Sequence, residues 1–205
     1  MASPALLRTC GLIGVAGALL AIPADVLSWL LAEGYNPMAQ TISALAVGSS
    51  SWLIDLGLWA FALSCLATGA GLLALDLPAG FWRVAALATL GMGVAVAVIS
   101  FVNDYAGQRN AGANLHSWSV YALYVLFGVA ALGSRSGLEG VSEAAADIGR
   151  LAGGAWIVLA PIYYVWFPSG WAGAFERALA LLMIAWLVVV AWQLGKERWR
   201  LTRPA

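Results

Sequence analysis

Residues 84–100 read VAALATLGMGVAVAVIS, and residues 178–192 read ALALLMIAWLVVVAW. Neither stretch contains a charged side chain, and both are continuous apolar runs rather than the alternating pattern of a barrel strand. A helix that crosses a bilayer needs about 20 mostly apolar residues. The two stretches therefore decide the fold class, because each forms the centre of a predicted membrane-spanning helix.

Four further stretches of the chain have the same character. The six predicted spans cover residues 6–31, 52–75, 81–102, 115–132, 151–167 and 175–194. The composition agrees, since 62% of the 205 residues are hydrophobic and only 10% are charged, whereas soluble domains have about 25% charged residues. We predict an all-α, polytopic transmembrane bundle of six helices that forms a single integral membrane domain over residues 1–205.

The basic residues are distributed unevenly between the two sides of this predicted bundle. One side carries only Arg109 and Arg177. The other side carries Arg8, Arg83, Arg135, Arg150, Lys196, Arg198, Arg200 and Arg203. By the positive-inside rule both termini are predicted to be cytoplasmic. The predicted location is a bacterial inner (cytoplasmic) membrane.

Seven ionisable residues gather on the predicted outer side, near the ends of the spans. They are Asp25, Asp55, Asp104, Arg109, His116, Glu176 and Arg177. A carboxylate within a span costs about 2.5–3.5 kcal/mol on insertion scales, so it normally pairs with a cation or faces a cavity. This cluster is the candidate functional site. The alternative interpretation is structural: its aspartates pair with Arg109 or Arg177, or cap the neighbouring helix ends.

The only histidine, His116, allows two kinds of contact. It could pair with Asp104, or it could give one ring nitrogen to a metal ion held by carboxylates. The candidate ligands of such an ion are Asp55, Asp104 and His116, and the sequence specifies no cofactor. Neither HExxH nor GxSxG occurs in the chain. The formal net charge of zero gives no indication of a nucleic-acid partner.

The first outer loop is long and lacks Lys and Arg. Residues 33–51 read EGYNPMAQTISALAVGSSS, and Asn36-Pro37 begins a turn. Within residues 38–47, Met38, Ile42 and Leu45 recur at helical spacing. We therefore predict a short interfacial helix that lies across the outer mouth of the bundle and covers the polar cluster. It is either a connector packed on the bundle or a gate.

The same loop carries a resemblance to a known family. Residues 35–45, YNPMAQTISAL, are similar to the NPxxxTIS-like signature of the uncharacterised six-span bacterial membrane family catalogued as domain of unknown function 998. Asn103-Asp104, followed by His116 at the start of the fourth span, resembles a second feature of that family. The resemblance implies six helices and an outer-side Asp/His pair. It implies no established activity.

Three functions remain open. The preferred one is a non-enzymatic membrane protein that binds a lipid or other hydrophobic small molecule, or that serves as an accessory subunit of a larger membrane complex. The second is an enzyme that acts on a lipid at the outer leaflet, with His116 as base or metal ligand and Arg109 holding an anionic headgroup. The third, a channel or transporter, is disfavoured because the centres of the spans carry no charge.

Overall fold

The computed structural model describes residues 2–75, 77, 80–166 and 170–196. This part of the chain forms seven α-helices and no strands. The helices are α1 (Pro4–Leu31), α2 (Ser51–Leu75), α3 (Trp82–Phe101), α4 (Ala111–Gly133), α5 (Arg135–Glu139), α6 (Glu143–Val165) and α7 (Ala172–Leu194). Short 3-10 helices occur at Ile42–Ala46 and Asn103–Tyr105. Phe167, the predicted end of the fifth span, and the basic residues Arg198, Arg200 and Arg203 lie outside the described residues.

All the helices except α5 are long and apolar enough to cross a membrane. The prediction of an all-α protein with six long apolar helices is therefore confirmed. The first helix continues through Pro23 as one unit of 28 residues. The cytoplasmic placement of both termini stays a prediction.

Two helices, α4 and α6, begin four or more residues before their predicted spans, and a side chain caps each of them. Asn110 accepts a hydrogen bond from the amide of Ala113 at 2.9 Å, so α4 begins at Ala111 rather than at residue 115. Ser142 accepts one from the amide of Ala145, so α6 begins at Glu143, two turns before the predicted residue 151. A hydrophobicity pattern detects the apolar part of such a helix and not the polar turns that its cap stabilises.

The long helices form a closed ring in which neighbours run antiparallel. The order around the ring is α1, α2, α3, α4, α6 and α7, which returns to α1. The segments that follow α1, α3 and α6 therefore lie at one end of the bundle, which we call the loop end. Helices α2 and α3 approach closely at Gly69, which has no Cβ. A Cβ at this position would lie only 2.8 Å from the amide nitrogen of Leu90.

The half of the bundle away from the loop end is filled by large side chains. Trp82 is fully buried, and its indole nitrogen donates to the carbonyl oxygen of Leu72 at 2.9 Å. Nearer the middle, the ring of Phe127 meets the rings of Trp156 and Trp186 edge-on, at centroid distances of 4.6 and 5.5 Å. Large aromatic rings therefore form the core of this half of the described bundle.

Candidate functional site

An ion pair between the first and the last helix lies at the loop end. Asp25 is near the end of α1, and Arg177 is in the second turn of α7. The guanidinium donates from Nε to Oδ2 at 2.8 Å and from Nη2 to Oδ1 at 3.0 Å, a bidentate geometry. The two side chains are only 18% and 15% exposed. Of the alternatives considered for Asp25, the structure shows pairing with Arg177.

The remaining N–H groups of Arg177 hold the backbone of the first loop. Nη1 lies 3.0 Å from the carbonyl oxygen of Pro37 and 3.2 Å from that of Gln40. It also lies 3.3 Å from the carbonyl of Gly173, one turn earlier in α7. A guanidinium has five N–H donors, and each of them has an acceptor here once the Nη2 contact with Tyr35 is included.

The loop between α1 and α2 folds into a compact turn against α7. The side chain of Asn36 accepts from the amide of Met38, and the side chain of Gln40 accepts from the amide of Asn36. The carbonyl of Met38 in turn accepts from the amide of Ala174, at the start of α7. Because these carbonyls are engaged by α7, the predicted helix over residues 38–47 is reduced to the 3-10 helix Ile42–Ala46. Its position relative to a membrane surface stays a prediction.

The side chain of Tyr35 also stabilises this turn. Its hydroxyl accepts from Nη2 of Arg177 at 2.8 Å, and it lies 2.8 and 2.7 Å from the carbonyl oxygens of Gln40 and Thr41. Burial raises the pKa of the Tyr35 phenol. The phenol therefore keeps its proton at neutral pH and donates it to one of the two carbonyls.

Glu176 joins the same loop to α7 at a second point. One of its carboxylate oxygens, Oε2, accepts from the backbone amide of Ile42 at 2.6 Å. That amide is the first N–H of the 3-10 helix Ile42–Ala46, so the carboxylate acts as a cap from outside the segment. Glu176 and Arg177, adjacent in sequence, together fix the position of the loop.

The other acidic residues form a separate group. Asp55, in the first turns of α2, accepts from the side-chain amide of Asn103 at 3.0 Å. Asp104 is exposed, and so is Arg109, which forms no ion pair with any described residue. The structure therefore divides the acidic and basic members of the predicted cluster into three groups. Asp25, Glu176 and Arg177 hold the first loop. Asp55 binds Asn103 just after α3, and Asp104 and Arg109 are exposed.

His116 lies in the second turn of α4 and is 8% exposed. Its Nδ1 is buried without a hydrogen-bond partner. No hydrogen bond joins it to Asp104 within the described chain, so the predicted pairing of these two residues is not formed. A buried ring nitrogen without a partner is unusual, because buried polar atoms are nearly always satisfied by protein or water.

The candidate metal ligands do not assemble. No group of three or more His, Cys, Asp or Glu side chains that could hold a metal ion is found among the described residues. Asp55 is occupied with Asn103, and Asp104 is exposed, while His116 is buried. The ligand set considered for Asp55, Asp104 and His116 therefore gains no support from the geometry.

A cavity of about 530 Å³ lies between α1, α2, α3, α4 and α7 at the loop end. Most of its wall is hydrocarbon, including side chains from each of these helices: Ile22, Ile54, Phe61, Val96, Leu123 and Met183. Its polar lining includes Asp25, Ser43, Asn103, His116, Glu176 and Arg177. Pro37, Met38 and Ile42 of the first loop also line it. The loop therefore covers a space that is apolar along its length and polar where the ion pair lies.

Part of this site escapes sequence reasoning. The ionisable members Asp25, His116, Glu176 and Arg177 are identified by their rarity in apolar spans. Tyr35 and Asn103 fall in the stretches that carry the family resemblance, but the sequence assigns them no contact, because an uncharged polar residue in a loop gives no comparable signal. The backbone carbonyls that Arg177 binds carry no sequence signal at all.

Comparison with known proteins identifies one family. Residues 15–193 match the family described as "Protein of unknown function (DUF998)". The match covers all six long helices, although the first turns of α1 and the last residue of α7 lie beyond it. No curated protein and no solved structure matches the chain.

Proposed function

We propose, for a chain that belongs to the DUF998 family of membrane proteins, that it binds a membrane amphiphile without transforming it. The tail of the amphiphile would occupy the apolar length of the cavity, and its head would lie at the polar end under the first loop. The observation that carries this proposal is the division of one cavity into a long apolar wall and a small polar end.

The size and lining of the cavity support this assignment. Ligand pockets typically enclose about 300–1,000 Å³ and combine apolar walls with a few polar groups that orient the ligand. A volume of about 530 Å³ lies in this range. A tail that leaves the bilayer for an apolar cavity gains little from the hydrophobic effect, since lipid is equally apolar. Selectivity must therefore come from packing and from the polar end.

The contacts of the polar residues favour binding over catalysis. Arg177 is committed to Asp25 and the loop, Glu176 to the amide of Ile42, and Asp55 to Asn103. These contacts organise the site, and they do not join a nucleophile to a general base. No feature of the described surface selects a partner subunit, so the cavity favours the ligand-binding interpretation over the accessory-subunit one.

The test is to fill the cavity and measure the co-purified amphiphile. Ala180 of α7 lines the cavity, whereas Ala178 of the same helix is exposed and does not line it. The chain would be purified in a mild detergent, and bound amphiphiles would be quantified by native mass spectrometry and by extraction. We expect Ala180→Phe to lower occupancy about tenfold, equivalent to about 1.4 kcal/mol.

Ala178→Phe is the matched control, since it adds the same ring to the same helix outside the cavity. It should keep the occupancy of the unmodified chain. Equal occupancy in both variants, or no bound amphiphile in the unmodified chain, would contradict the proposed function.

A further inference from the structure

Among the described residues, Arg177 is the only Lys or Arg that lines the cavity, and all of its hydrogen-bond donors are already engaged. Each of its five N–H groups already has an acceptor, on Asp25, on Tyr35 or on backbone carbonyls. A phosphate or carboxylate head would have to displace one of these acceptors. Displacing Asp25 would leave its carboxylate buried without its partner, which is costly.

Acidic groups outnumber basic groups at the polar end of the cavity. Two carboxylates, Asp25 and Glu176, line the cavity with the single guanidinium of Arg177. The exposed Arg109 is not among the lining residues. An anionic head would therefore meet two carboxyl groups and no cation that is free to bind it, and like charges at low dielectric repel strongly.

The polar end does provide hydrogen-bond acceptors for a headgroup that donates hydrogen bonds. Glu176 uses only Oε2 on the amide of Ile42, which leaves Oε1 as an acceptor. His116 adds a second polar group: it lines the cavity, is more than nine-tenths buried and has Nδ1 without a partner. An uncharged imidazole carries one donor and one acceptor nitrogen, so it can take part in a hydrogen bond with a hydroxyl in either direction.

We infer that the cavity selects an amphiphile whose head donates hydrogen bonds and carries no negative charge, such as a long-chain alcohol or amine. This inference rests on the proposed function and specifies its ligand class. It differs from the enzymatic alternative considered from the sequence, in which Arg109 holds an anionic headgroup.

The test uses three photoreactive probes that share one diazirine-bearing alkyl tail. Their heads are a primary alcohol, a primary amine and a phosphate monoester. The full chain is placed in nanodiscs of zwitterionic lipid, irradiated with each probe, and digested for peptide mass spectrometry. Labelling of cavity-lining peptides is divided by labelling of the exposed apolar residues of α6, which corrects for different partitioning into the nanodisc.

We expect the alcohol and the amine each to give at least about tenfold more normalised cavity label than the phosphate. Glu176→Gln replaces a cavity-lining carboxyl group by an amide and keeps an oxygen that can accept from Ile42, so it should reduce both ratios severalfold. Glu33→Gln makes the same change at an exposed residue of the loop end that does not line the cavity. It should leave both ratios unchanged.

The possible failures are distinguishable. Alcohol and amine ratios near one, or a phosphate probe that labels best, would overturn the inference and leave amphiphile binding in place. Identical responses of Glu176→Gln and Glu33→Gln would also overturn it, because the charge of the lining would then have no effect. Cavity label absent with all three probes would overturn both the inference and the proposed function.

Discussion

At the scale of single residues, Arg177 connects α7 to α1 and to the first loop, which are 152 and 140 residues away in sequence. It binds the carboxylate of Asp25 in α1, the backbone of the first loop, and Gly173 in its own helix. Lysine would keep the charge, but an ammonium is a compact point charge with three donors and cannot reproduce a planar fork. The identity of this residue therefore matters beyond its charge.

We predict that Arg177→Lys lowers the free energy of unfolding by about 2–3 kcal/mol, because the Asp25 pair loses its bidentate geometry and the loop carbonyls lose their donor. Unfolding would be followed in detergent by thermal or denaturant titration. Arg135→Lys is the control, since the pair of Arg135 with Glu139 is about half exposed on each side. It should change stability by no more than about 0.5 kcal/mol. Equal effects of the two substitutions would contradict the assigned role of Arg177.

Sequence reasoning identifies this ion pair as one of several options and cannot choose among them. A carboxylate in one span and a guanidinium in another suggest pairing, but Arg109 is an equally available partner on the predicted outer side. The choice depends on which helices are neighbours, and α1 lies next to α7. The unpartnered Nδ1 of His116 cannot be predicted either, because it depends on what the surrounding helices fail to provide.

At the scale of elements, the contact between the first loop and α7 depends on a glycine. A Cβ on Gly173 would lie 2.5 Å from the carbonyl oxygen of Pro37 and even nearer to that of Gln40. Both atoms belong to the loop backbone, which is held in place by Arg177. A side chain at this position would push the loop away from the start of α7.

We predict that Gly173→Ala destabilises the protein by about 1–3 kcal/mol, as overpacking usually does, and reduces amphiphile occupancy. Gly154, in α6, serves as the control, because the position that a Cβ would occupy there is open space. Gly154→Ala should be neutral or stabilising by up to about 1 kcal/mol, since alanine favours a helix. Unfolding midpoints of both variants, measured side by side, decide the point. An unchanged unfolding midpoint in Gly173→Ala would show that the first loop does not pack closely on α7.

The helices themselves are largely predictable from the sequence, and the errors have two causes. Hydrophobicity reports transfer from water to lipid, so it locates the six apolar helices and misses the polar first turns of α6. The helical spacing of Met38, Ile42 and Leu45 predicts a helix that the structure realises only over Ile42–Ala46. Before this segment, the backbone carbonyls of Pro37 and Met38 have partners on α7, which no periodicity in the loop can reveal.

At the scale of the whole molecule, the distribution of basic residues predicts which end of the bundle faces the cytoplasm. The loop end carries few basic residues, and the opposite end carries most of them, which predicts an outward-facing loop end. The native cysteines Cys10 and Cys65 are buried, at 8% and 0% exposure. A cysteine introduced at an exposed position can therefore be labelled with little background from the native cysteines.

We predict that Ser49→Cys, in the exposed first loop, reacts with a membrane-impermeant maleimide in intact cells. Ser136→Cys, exposed in α5 at the opposite end, should react only after permeabilisation. The unmodified chain should remain unlabelled in both conditions. The reverse order of reactivity would show that both termini face outward.

The ion pair of Asp25 with Arg177 spans 152 residues of sequence. Because synthesis proceeds from the N-terminus, α1 enters the bilayer with its carboxylate long before the matching guanidinium emerges. During that interval Asp25 must be protonated, hydrated or sheltered by other proteins, since a lone carboxylate in a span is costly. Insertion of α7 then supplies the guanidinium that pairs with Asp25 and the side chains that hold the first loop. A chain stalled before α7 has neither the complete site nor the guanidinium that pairs with Asp25.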